Sequence, residues 1–242
     1  MLCFFPAPEA DGHGTDAAMA AFHYHQGRIR SRVPFVKLIA SAITIGTGGS
    51  GGREGPIALI GAGFGSFIGD RFRLKPSERR ILMAAGVGAG VAAIFRAPLA
   101  GALFAAEILY RSIDFESDVI VPAALASTAA YCTFGLVFGW EPLFSLSPDI
   151  VSNLGFSKPG QLFAYILLAF FLVFLAMLYT RSFYGISHAF RGLPLPRHLK
   201  PAIGAFATGL VGVGLYYLLG RDGRVLAVLS FGYGALQNAL SF

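Results

Sequence analysis

The stretch GTGGSGGREGP, residues 46–56, sets six glycines, Arg53 and Glu54 between two apolar segments. Proline is favoured in the first turn of a helix, so Pro56 predicts a helix that starts at Glu54 and runs to about Gly69. Such a helix start exposes unpaired backbone N–H groups and about half a unit of positive charge. That end of a helix attracts anions. The glycines before it let the backbone come close to a bound ion. Glu54 is then either a carboxylate placed at an anion site or an ordinary cap of its own helix, and these eleven residues leave both readings open.

The surroundings weigh on that choice. Of the 242 residues 55% are hydrophobic and 13% charged, with a mean hydropathy of +0.64, whereas soluble chains carry about 25% charged residues. With 23 phenylalanines and 31 glycines, the composition predicts an all-α, polytopic membrane protein, glycine serving close helix contact. Three stretches are long enough to span a bilayer: about Val119–Gly139, Leu162–Thr180 and Ala202–Leu219. Residues 35–48, 57–69, 81–95 and 97–109 are apolar but shorter, and read as re-entrant or broken helices. Broken helices persist at membrane depth only where their ends face protein or a polar cavity. An ionisable residue in such a setting favours a functional role.

The net charge of +6 comes from basic residues lying between apolar runs. That is the pattern of cytoplasmic loops and argues against a nucleic-acid partner. If the clusters at Arg28–Arg32, Arg71–Arg80 and Arg181–Lys200 are all cytoplasmic, residues 35–69 and 81–110 each enter and leave by one face, and the loop from Trp140 to Pro159 is external. Gly61, Gly65 and Gly69 form a stripe at i, i+4 and i+8, and Gly86 and Gly90 repeat the spacing. Both predict tight helix packing. Cys3 and Cys132 imply no disulfide framework, and no cleavable signal peptide is visible.

GHGTD, Gly12–Asp16, marks a second helix start, capped by Thr15 or Asp16. His13, His23 and His25 lack the spacing of a metal site, and no metal or other cofactor is expected. A nucleotide-binding loop fails for want of a GK[ST] motif. An intramembrane hydrolase using Asp16 and His13, or Ser50, lacks a second catalytic group at a suggestive spacing. The chain is read as a non-enzyme.

GGREGP (51–56), followed by AAGVGAGVAAIFRAPLAGALFAAE (84–107), resembles the CLC family of chloride channels and chloride/proton antiporters, and the likeness continues from GHGTD to GYGALQ (232–237). The resemblance implies part of an inverted-repeat fold in one transmembrane domain over residues 1–242. It further implies a multi-pass place in a membrane of the bacterial inner or plasma type, homodimer assembly in the bilayer, and transport of chloride or similar small anions, with or without protons. Glu54 corresponds to the family's gating glutamate, and Arg53 and Gly55 complete its loop. GHGTD stands where many members carry GSGIP, so His13 replaces a chloride-contacting serine, while the amides of Gly14 and Thr15 can still serve. Glu107 matches the first of a glutamate pair often found in proton-coupled members, and Ile108 replaces the second. The family's first helices, its GxFxP-like helix start and its gate tyrosine find no counterpart. The reading therefore expects the middle of such a protein, lacking half of the chloride site. The alternative is a non-transporting fragment or packing partner.

Overall fold

The computed structural model describes residues 7–109, 117–146, 151, 159–196, 199–221 and 223–241. Among the described residues it contains nine α-helices and two 3-10 turns, at Pro8–Ala10 and Gly223–Val228. The helices are α1 Thr15–Tyr24, α2 Arg32–Gly46, α3 Glu54–Arg71, α4 Pro76–Phe95, α5 Pro98–Leu109, α6 Ser117–Phe138, α7 Gln161–Gly192, α8 Leu199–Leu218 and α9 Tyr233–Leu240. The chain divides into two compact units, Met1–Phe144 with Ala227–Leu236, and Ser145–Leu226 with Gln237–Phe242.

The first unit is organised around α3 and α4, which run antiparallel on a seam of glycines. Gly61 meets Gly86, Gly65 meets Leu82, Gly69 meets Arg79 and Gly90 meets Ile57, so the register is constant along the pair. A Cβ added at Gly61 would lie 2.1 Å from the Gly86 carbonyl oxygen. The backbones touch because the side chains are absent, as membrane helix pairs require. The stripes predicted from spacing are therefore this interface. Gly101 of α5 packs on Gly88 and Ala92 of α4 in the same manner, and α6 closes the core with Val119 and Ala123.

Both α3 and α4 are longer than the apolar runs 57–69 and 81–95, at 18 and 20 residues. Their polar ends stay helical for local reasons. Pro76 opens α4, where the Lys75 N–H donates to the Glu78 carboxylate at 2.9 Å. Buried Arg79 pairs with Asp70 at 3.1 Å and donates to the Leu74 carbonyl, tying the turn between the two helices.

α1 lies alongside α3 in the same direction. Gly14 meets Gly55 and Leu59 at one end, and beyond its other end the Ile29 N–H donates to Ser66 Oγ at 2.9 Å. This parallel placement brings two helix starts together. Between α1 and α2, Arg30 forks its guanidinium onto Glu9 of the turn before α1, and that hydrogen bond first of all holds the Glu9 carboxyl below its ordinary range.

Three helices are long and apolar enough to cross a membrane: α6, α7 and α8. They coincide with the three predicted spans. α7 runs on to Gly192, past the expected end at Thr180, because no proline interrupts it before Pro194. The second unit holds α7 and α8, whose apolar faces are exposed throughout, Phe170 at 73% and Phe206 at 69%. A surface of that kind suits lipid or neighbouring membrane helices. At the end of α6, Trp140 covers Gly135 and meets Tyr131 edge-on at 5.4 Å, a girdle of the type found where membrane meets water. Of the predicted external loop, residues 147–150 and 152–158 lie outside the described residues, as does Arg197 of the third basic cluster.

Candidate functional site

The starts of α1 and α3 meet backbone to backbone. Gly14 is the N-cap of α1 with φ +113°, a conformation that glycine alone adopts freely. A Cβ there would lie 2.8 Å from the Gly55 carbonyl oxygen, and a Cβ at Gly55 would lie 2.4 Å from that of His13. His13, Gly14, Thr15, Arg53, Glu54 and Gly55 are thus neighbours, although about forty residues separate the two loops. Two helix N-termini pointing into one junction add their partial positive charges.

The side chains divide the junction between them. His13 turns back on its own helix: Nδ1 meets the Thr15 hydroxyl, and Nε2 lies 3.1 Å from Asp16. The imidazole thereby bridges the Thr15 and Asp16 side chains in the first turn of α1, with the Thr15 N–H 3.4 Å from Nδ1. Glu54 does not cap α3. Arg53 is its N-cap residue, and the Glu54 carboxylate instead accepts a hydrogen bond from the Tyr233 hydroxyl at 2.6 Å. Its second oxygen folds over Gly52, where any Cβ would collide with it. The Arg53 guanidinium sits 4.7 Å from the Tyr233 ring centre and 5.3 Å from that of Phe231. Burial first, and then the Glu54 carboxylate, push the Tyr233 phenol above its ordinary value, so it remains a proton donor.

Beneath the junction lies a cavity of about 320 Å³ bordered by Gly12, His13, Lys37, Ser41, Gly52 and Pro56. Lys37 is 5% exposed, and its Nζ donates to the carbonyls of Ala10 and Gly12. Sequence reasoning missed it, although a lone cation inside the apolar α2 was the signal available. Tyr233 was also missed, and no local pattern pointed to it, since it stands 179 residues from Glu54.

Glu107 is not part of this group. It is exposed on α5, outside the two helix starts. Ile108 packs against the core beside it. A larger cavity, about 720 Å³, opens near the end of α1 beside Tyr24 and His25 and includes none of the predicted residues.

Two helix N-termini that converge beside a carboxylate, in a chain with three apolar helices long enough to cross a membrane, are an arrangement that suits a polytopic membrane protein. The sequence model of the family described as voltage gated chloride channel matches residues 1–242, and the chain belongs to that family. It is 35% identical to the voltage-gated ClC-type chloride channel ClcB of Yersinia pestis over 77% of this chain and 43% of that one. To chloride channel protein CLC-e of Arabidopsis thaliana it is 30% identical, over 74% of this chain and 26% of that one. The crystal structure of a slow cyanobacterial Cl⁻/H⁺ antiporter superposes with a TM-score of 0.78 at 24% identity, covering 99% of this chain and 53% of that one. That likeness establishes the CLC fold. The chain spans less than half the length of these two relatives.

Proposed function

We propose that this protein carries chloride or similar small monovalent anions across a membrane, and that Glu54 is the gate. The observation supporting this most strongly is the junction itself: two helix starts in backbone contact, with a half-buried carboxylate beside their N–H groups rather than bonded to them. An anion held by the amides of Gly14, Thr15, Arg53 and Gly55 is bound through partial charges alone, and so can leave again. His13, whose ring is turned onto the Thr15 and Asp16 side chains, supplies its backbone more readily than its ring. The reading is one of transport without covalent chemistry. Chloride is cargo, and no cofactor is invoked.

The bilayer and a second copy of the chain complete the proposal, in a membrane of the bacterial inner or plasma type. The exposed apolar faces of α7 and α8 support the lipid setting. Proton coupling is weak or absent in this reading, because Ile108 stands where a proton-carrying glutamate is expected and cannot carry a proton. Bromide anomalous diffraction on the protein expressed from its own gene tests the site. Bromide is expected at Gly14–Thr15 and Arg53–Gly55; bromide only at surface arginines would refute it.

A further inference from the structure

We propose that Tyr233 is a positioning residue for the Glu54 gate: its hydroxyl gives the ionised carboxylate a resting place away from the backbone amides of the anion site. This rests on the gating role of Glu54 and specifies how that gate is held. Three observations support it. The 2.6 Å hydrogen bond from Tyr233 is the one that the Glu54 carboxylate makes among the described residues. Among the described residues no backbone N–H of the α1 or α3 start donates to the carboxylate, so a carboxylate on Tyr233 leaves the amides of the proposed site open. Gly52 provides the room, since the folded-back carboxylate occupies the space of a Cβ there.

The tyrosine is itself held. Its ring lies under the Arg53 guanidinium and packs on Phe231 and Phe144, with centroids 4.9 and 5.4 Å away. These rings and Arg53 fix the hydroxyl where the carboxylate can reach it. The other charged or titratable groups on the neighbouring elements are His13 and Asp16 at the start of α1, Lys37 in α2, and Arg96 at the end of α4. Their partners are Thr15 and each other, the loop carbonyls before α1, and the carbonyls of Phe138 and Glu141. Tyr233 is the group that donates to Glu54.

An ionised Glu54 without this donor has the anion site as its remaining polar destination. It then competes with chloride more of the time. A protonated Glu54 has no such competition, so the tyrosine matters only while the carboxylate is charged.

The test is chloride efflux from proteoliposomes for wild type, Tyr233→Phe, Glu54→Gln and the double variant, each over a range of external pH. Phenylalanine keeps the ring, and with it the Arg53 and Phe231 contacts, and removes only the hydroxyl. Efflux of Tyr233→Phe is expected to fall about tenfold at neutral pH, the scale of one charge-assisted hydrogen bond. It should converge on wild type at acid pH. In the Glu54→Gln background the same substitution should change nothing. Equal efflux of Tyr233→Phe and wild type at neutral pH overturns the proposal. So does a loss of the same size at every pH or in the Glu54→Gln background, which would mark a purely structural tyrosine. If Glu54→Gln alone keeps the wild-type pH profile, the gate itself fails and the proposal falls with it. A Glu54→Gln variant with altered pH response beside an inert Tyr233→Phe would reject the tyrosine alone.

Discussion

Gly14 and Gly55 hold the two helix starts at a separation no other residue pair permits. An alanine at Gly14 meets two obstacles at once, the left-handed backbone at φ +113° and the Gly55 carbonyl oxygen at 2.8 Å. Gly14→Ala is therefore expected to lower stability by about 2 kcal/mol, in the range of one strained residue, and to weaken chloride binding as the loops separate. Thermal unfolding in detergent with and without chloride checks both. An unchanged melting temperature and an unchanged chloride shift would mean the backbones need not touch. At this scale the sequence was informative about backbone and poor about side chains. Glu54 and the glycine turns are local patterns, readable from residues 12–16 and 46–56. The hydroxyl that Glu54 binds comes from residue 233, and only the folded chain brings it there.

The α3–α4 pair shows what a small-residue stripe does when lipid provides no hydrophobic contrast between helices. Contact of the Gly61 and Gly86 backbones buries two faces without a cavity, at the cost of tolerating no side chain. Gly61→Ala puts a methyl group 2.1 Å from the Gly86 carbonyl oxygen, so the helices must part along the whole register. A loss of about 2 kcal/mol is expected from overpacking, seen as a lower melting temperature and reduced monodisperse yield. A variant as stable as wild type would show that the interface can slide. The stripe and the three spans were legible because spacing and apolar length are properties of one helix. The extra turns of α3, α4 and α7 were not, because capping by Pro76 and Glu78 and the absence of a break before Pro194 extend a helix beyond its apolar run.

For the molecule as a whole, the distribution of arginine and lysine sets how the bundle crosses the bilayer. Residues 71–80 are expected on the cytoplasmic side and residues 140–159 outside. Ser77 and Ser145 are both exposed and suit single cysteine substitutions in a chain freed of Cys3 and Cys132. An impermeant thiol reagent on intact cells should label position 145 and spare 77; the reverse result would invert the topology. In the proposed function the junction of α1 and α3 is where the anion pauses, and the central claim is that Glu54 controls it. Chloride efflux from proteoliposomes against external pH, for wild type and Glu54→Gln, tests that claim most directly. Wild-type efflux should rise as acid external pH protonates Glu54 and removes its competition for the site. Glu54→Gln, which imitates the protonated group, should give pH-independent efflux with no proton movement, and Glu54→Asp should keep the charge but reach the site poorly. A Glu54→Gln protein that retains the wild-type pH profile would contradict the account.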